Sequence, residues 1–146
     1  MSLCVYLRIR GSVVRYGTGV FVRENGTVVE LSQDEVLSRF GKFSLNKKEI
    51  TDIVYSACIT HNLTSMANEA GLYKCIWYAN ENGIYLAFQM IDLLKKGLDT
   101  LKRNPKHFRK FNPKNGWGNY ESFVQFIEGY LEACINAPDA VVLVHR

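Results

Sequence analysis

The stretch Cys4-Val5-Tyr6-Leu7-Arg8-Ile9-Arg10 alternates with a period of two. Val5, Leu7 and Ile9 point to one face and Tyr6, Arg8 and Arg10 to the other, the pattern of a strand with one buried side. Outward from it, the first third of the chain reads as β. Gly11-Ser12 is a turn candidate ahead of Val13-Val14-Arg15-Tyr16. Val20 to Arg23 and Val28 to Leu31 flank Asn25-Gly26, a dipeptide that favours a hairpin turn with positive φ at both central residues. Ser32, with Glu35 three residues on, predicts the cap of a short helix from Asp34 to Phe40. Ile50 to Ile59 reads as one further strand.

The rest reads mainly as helix. Asn62 is the expected cap of a helix with Leu63, Met66, Ala67 and Ala70 on its apolar side and Gly71 just past its end. Tyr73 to Tyr78 fits either structure, with Ile76 and Trp77 buried. After Asn82-Gly83 the longest helix is expected from about Tyr85 to Arg103, burying Ala87, Phe88, Ile91, Leu94, Leu98 and Leu101. Asn104-Pro105 predicts a new short helix with Pro at its first position. Asn119 caps a final helix whose stripe is Phe123, Phe126, Ile127, Tyr130, Leu131 and Cys134, ended by Pro138. Ala140 to Val144 is a closing strand.

The fold class that follows is α+β. A mostly antiparallel sheet, built from the N-terminal strands and the C-terminal strand, carries three or four helices on one face. A chain of 146 residues is expected to form a single domain, mainly β over 1–59, mainly helical over 60–138, with the closing strand in 139–146.

The longest apolar stretches, Ile84 to Leu94 and Phe123 to Ile135, are interrupted by polar residues and too short to span a bilayer, so no membrane partner is expected. The N-terminus lacks the apolar core and cleavage site of a signal peptide, and a cytoplasmic location is the expectation. Cys4, Cys58, Cys75 and Cys134 are far apart and form no C-x-x-C pair, which disfavours a zinc or thioredoxin-like site. They are expected to be buried, reduced thiols. Nothing in the spacing of His61, His107 and His145 predicts a metal site, and no cofactor is expected.

Charge is unevenly spread. Eight of the eighteen Lys and Arg residues lie in the twenty residues from Lys95 to Lys114, against the single acid Asp99, a net charge of about +7. Ten bases and thirteen acids remain elsewhere, so the body is about −3. Lys102 and Arg103 suit a helix C-terminus. Lys106, Arg109, Lys110 and Lys114, interleaved with Phe108, Phe111 and Trp117, form the candidate anion-binding edge. For Trp117, between Gly116 and Gly118, the expectation is a plug in the core between two helices; its rival is an exposed ring on which a base stacks. His61 and Asn62, where a strand meets a helix, are the second candidate anion site. Cys58 with His61 is disfavoured as a nucleophile pair, because residues three apart at a strand end do not reliably meet.

From Ile59 onward the chain carries Ile59-Thr60-His61-Asn62-Leu63, Met66-Ala67 and Glu69-Ala70-Gly71-Leu72-Tyr73, then Phe111-Asn112-Pro113, Asn115-Gly116-Trp117-Gly118, Tyr120-Glu121, Tyr130-Leu131-Glu132-Ala133-Cys134 and Pro138-Asp139-Ala140. In these words it resembles a family of small uncharacterised proteins of bacteriophages and bacteria. The resemblance covers about ninety residues and departs near Trp77 to Glu81. It implies a phage or mobile-element origin and carries no catalytic role.

The function expected is a small non-enzymatic binding protein that uses its basic-aromatic edge to hold an anionic ligand, a nucleotide or nucleic acid, or an acidic protein partner. The alternatives are an enzyme acting on a nucleotide or small phosphate ester around His61 and Asn62, and an oligomeric structural protein with the Asn25-Gly26 hairpin as its exposed edge.

Overall fold

The computed structural model describes residues 1–9, 13–18, 20–41, 46–50 and 53–146, with backbone alone for 13–17 and 46–50. In chain order the elements begin β1 (Ser2–Arg8), β2 (Val13–Gly17), β3 (Phe21–Glu24), β4 (Thr27–Glu30), α1 (Gln33–Phe40) and β5 (Asn46–Ile50). They continue β6 (Ile53–Thr60), α2 (Thr64–Glu69), α3 (Tyr73–Trp77), α4 (Phe88–Arg103), α5 (Pro105–Arg109), α6 (Tyr120–Asn136) and β7 (Val141–His145). Among the described residues, antiparallel sheets with six α-helices make this an α+β fold. The chain groups into two compact units: Met1–Arg10 with Asp52–Arg146, and Gly11–Thr51.

In the Gly11–Thr51 unit, β2 pairs antiparallel with β5, and β3 with β4. The hairpin turn forms as its Asn-Gly sequence predicts, with φ of 49° at Asn25 and 79° at Gly26. Ser32 and Glu35 form a reciprocal capping box on α1: Ser32 Oγ accepts from Glu35 N at 3.3 Å, and Glu35 Oε2 accepts from Ser32 N at 2.9 Å. The strand expected from Ile50 to Ile59 falls on two elements paired in different sheets, β5 to Ile50 and β6 from Ile53; residues 51 and 52 lie outside the described residues. The Gly11-Ser12 turn lies outside the described residues.

The larger unit holds a three-stranded antiparallel sheet in the order β6-β1-β7. The closing strand therefore joins the N-terminal one, with Leu7 opposite Val142 and Val5 opposite Val144. Alternation in β1 buries Leu3, Val5 and Leu7 completely, while Ile9, past the strand end, is 47% exposed. Leu3, Val5, Leu7, Ile59 and Val142 merge with Leu63, Met66, Ile76, Trp77, Leu94, Phe123 and Tyr130 in one core. The helices thus cover the face that these strand residues share.

Within this layer α6 buries Phe123, Phe126, Ile127, Tyr130 and Cys134, and Asn119 caps it through Ser122. Tyr120 Oη donates to Leu101 O at 2.9 Å, satisfying one of the last carbonyls of α4. Two expectations for the long helix change. It starts at Phe88, and the Phe88 ring is 53% exposed while Met90 is buried in its place. Gly97 also faces the core between Leu94 and Leu101, where a Cβ would press on the Leu72 side chain.

The cysteines also differ from expectation. Cys75 and Cys134 are free and buried. Cys4 and Cys58 instead stand directly opposite each other in the β1–β6 ladder and are joined by a disulfide. They lie on the sheet face away from the core, so Cys58 is exposed and Cys4 half-buried. A sequence separation of 54 residues hides that juxtaposition from any local pattern. No described helix is long and apolar enough to cross a membrane.

Candidate functional site

The candidate site is assembled where β6 ends and the loop before α6 folds back on it. Thr60, the last residue of β6, turns its hydroxyl inward on the chain: Oγ1 accepts from Asn62 N at 3.2 Å. Thr60, not Asn62, is therefore the cap, and it caps a 3₁₀ turn (His61–Leu63) that leads into α2. The hydroxyl of a strand-ending Thr reaches the amide two residues on, which leaves the Asn62 side chain uncommitted to capping and exposed.

The returning loop is shaped by its own turn chemistry. Gly116 N donates to Pro113 O, and Trp117 N donates to Asn115 Oδ1 at 3.0 Å. Gly118 has a φ of 91°, and a Cβ on it would meet Thr60 Cγ2 at 2.7 Å and Leu63 Cδ1 at 3.0 Å. Only a glycine lets this loop lie so close to the strand end. Tyr120 N then donates to Asn112 Oδ1 at 2.8 Å, tying the two ends of the loop together.

Between strand end and loop lies an open groove of about 550 Å³. It is lined by Met1 and Ser2 at the start of β1, by Cys58 to Thr60 at the end of β6, and by Asn62, Asn115 and Trp117. The Trp117 ring is 70% exposed. The expected core plug is thus overturned: Trp77, Phe123 and Tyr130 already fill the core, and the tight Asn115–Gly118 turn holds Trp117 at the surface.

Of the seven residues predicted for the site, the fold brings Asn62 and Trp117 into one groove. His61 is turned the other way: its Nδ1 accepts from Trp77 Nε1 at 3.0 Å. That bond requires Nδ1 to be unprotonated, and it gives His61 a structural task. With Cys58 oxidised, the disfavoured Cys58–His61 nucleophile pair does not form.

Lys106, Arg109, Lys110 and Lys114 are all exposed, and none lines the groove, although Lys114 directly precedes Asn115. The basic stretch is partly neutralised. Lys102 pairs with Glu128 at 2.6 Å, Arg103 with Asp99 at 2.9 Å and Arg109 with Glu121 at 3.0 Å. The Arg109 guanidinium also sits 5.1 Å from the centre of the Tyr120 ring. Glu121 is held below the usual carboxylate range by its own backbone N–H at the start of α6 and by Arg109. His107 Nε2 lies 2.9 Å from Glu69 Oε1, between α5 and α2. Lys95, Lys96, Lys106, Lys110 and Lys114 have no carboxylate within ion-pair distance among the described residues.

Met1, Ser2 and Thr60 were not legible as site residues. A strand-ending Thr two residues before an amide was the available sign for Thr60, whereas the place of Met1 and Ser2 in the lining depends on the β1–β6 pairing. Another hollow, of about 560 Å³, lies between Ile9 and the Asn136–Ala140 segment and holds none of the predicted residues. Among the described residues no cluster of His, Cys, Asp and Glu is placed to hold a metal ion. The chain matches no family model, no curated protein and no solved structure, and the likeness noted in its motifs assigns it to no family.

Proposed function

We propose that this chain is a binding protein for single-stranded nucleic acid, with a base stacked on Trp117 and phosphates held by Lys106, Lys110 and Lys114. The observation that carries the reading is the 70% exposed Trp117 ring at the rim of a groove whose edge also offers the Asn62 and Asn115 amides. An exposed indole fixed by a turn is a sequence-tolerant platform for a base, and amide side chains supply donors and acceptors for base edges. The unpaired lysines lie on α5 and in the loop after it and supply positive charge for more than one phosphate. Arg109 is left out of the contact set because Glu121 and Tyr120 already hold it.

Tryptophan fluorescence tests this directly. Trp77 is buried and hydrogen-bonded, so quenching by a ligand reports Trp117. Titration with oligothymidylate at low salt is expected to give saturable quenching that weakens steeply as salt is raised. Trp117→Ala is expected to weaken binding, measured by anisotropy of a labelled oligonucleotide, by about 1–3 kcal/mol. Exchanging Lys106, Lys110 and Lys114 for Glu together is expected to abolish it with an unchanged circular dichroism spectrum. A free nucleotide binding as tightly as the oligonucleotide would reassign the ligand to nucleotides. Unaltered affinity in Trp117→Ala would sink the proposal.

A further inference from the structure

We infer that the Cys4–Cys58 disulfide is a thiol-exchange site, open to dithiol reductants at Cys58, and that its state sets the width of the groove. The part of this inference that concerns nucleic acid rests on the function proposed above; the exchange chemistry does not.

Three observations carry it. First, Cys58 is exposed. The disulfide lies on the sheet face away from the core, and Cys58 also lines the groove. Disulfides that only staple a fold are shielded, whereas exposed ones are the labile and regulatory class. Second, the cross-link is redundant for joining the strands. β1 and β6 are already paired from Ser2↔Thr60 to Arg8↔Ile53, and β1 is paired on its other side with β7. Third, the cross-link is placed where it controls the groove. Beyond Cys4↔Cys58 only Leu3↔Ile59 and Ser2↔Thr60 remain in the ladder, and Ser2, Ile59 and Thr60 all line the groove. The next tie, His61 N to Met1 O, is long at 3.4 Å. With the disulfide open, the short end that carries Met1 and Ser2 is held by those two pairs and the Met1 contact alone, so opening it loosens this part of the groove lining.

The chemistry balances with a dithiol as the reductant. Its thiolate attacks Cys58 Sγ, the sulfur–sulfur bond breaks, and Cys4 leaves as a thiolate that takes up a proton. The mixed disulfide on Cys58 is then attacked by the second thiol of the reductant, which leaves as a disulfide and frees Cys58 as a thiol. Two electrons and two protons pass to the protein. Cys75 and Cys134 take no part: both are buried, and burial pushes their thiols up to about 11 and about 12, so they stay protonated and unreactive.

The test uses the full chain without denaturant. It is treated with dithiothreitol or a thioredoxin-class dithiol protein, alkylated with iodoacetamide, and mapped by mass spectrometry. Labelling of Cys4 and Cys58 with Cys75 and Cys134 unlabelled is expected. In Cys4→Ser, glutathione disulfide is expected to leave its adduct on Cys58. Hydrogen exchange of Met1–Val5 and Ile59–Asn62 is expected to rise on reduction while α6 stays protected. A disulfide that opens only in denaturant, or reduction with unchanged exchange in those two segments, would overturn the inference. Oligothymidylate binding is measured in both states, and a several-fold loss on reduction is expected. Absence of oligonucleotide binding in both states, with exchange and labelling as described, removes the proposed function and leaves the redox site standing. Equal and measurable binding in both states overturns the control of the groove.

Discussion

Trp77 Nε1 donates to His61 Nδ1 at 3.0 Å, linking the core indole of α3 to the first residue of the turn that follows β6. The indole is only 2% exposed, so no bulk water stands ready to replace that acceptor. His61→Phe keeps an aromatic ring and strands the indole N–H. A loss of about 1–3 kcal/mol in urea unfolding is expected. His61→Gln, whose side-chain oxygen can accept, is expected to recover part of it. Equal stability of the Phe and Gln variants would show that the bond contributes nothing.

Gly118 makes a second long-range link. Its φ of 91° is unfavourable for any L side chain, and an added Cβ would press on Thr60 Cγ2 and on the buried Leu63. Thr60 is β-branched and its hydroxyl already caps the 3₁₀ turn, so it cannot swing away freely. Gly118→Ala is expected to cost about 1–3 kcal/mol. It should also shift the emission of Trp117, the neighbouring residue. A variant as stable as the parent, with unchanged emission, would contradict the close docking of loop and strand end.

Gly97 poses a contest between helix propensity and packing. Alanine in a helix interior is favoured over glycine by about 1 kcal/mol. Against this, the new methyl would overlap Cγ, Cδ1 and Cδ2 of Leu72, itself only 1% exposed. Overpacking of that kind costs about 1–3 kcal/mol. Gly97→Ala is therefore expected to destabilise. The Leu72→Ala substitution should be less costly in the Gly97→Ala background than in the parent, and a double-mutant cycle with no coupling would refute the contact.

The two free thiols make stability depend on alkaline pH. Burial raises Cys75 and Cys134 in the folded chain, while in the unfolded chain they titrate near their ordinary value of 9.0. Above that value the unfolded state loses protons that the folded state keeps, so unfolding becomes easier as pH rises. The contribution is full below pH 9 and declines as pH climbs toward about 11 and about 12. Urea midpoints measured between about pH 8 and pH 11 should fall less steeply in the Cys75→Ala, Cys134→Ala double variant than in the parent. Parallel curves would rule out this linkage.

Local chemistry was legible wherever a residue acts on its own neighbours. Asn25-Gly26 turns the chain because both residues tolerate positive φ, and Ser32 with Glu35 starts α1 because both reach backbone amides within one turn. The stripe of α6 and the alternation of β1 show which faces are buried, since period alone decides that. Asn62 was misread as a cap because Thr60, two residues earlier, offers its hydroxyl to the same turn. Of the basic edge, sequence gave the charges but not their partners: Glu128 and Glu121 arrive from α6 to neutralise Lys102 and Arg109.

By itself, then, the sequence determined an α+β chain with its turns, caps and buried stripes. Each of these is settled by residues within about one helical turn or one strand of each other. Only the tertiary structure decided that Cys4 faces Cys58, that Trp117 stands outside the core, and that Asn62, Asn115 and Ser2 border one groove. Those relationships depend on strand register and on a loop seated against Thr60 through Gly118. Register and loop docking are set by the packing of distant segments on a shared core, and no local pattern encodes them.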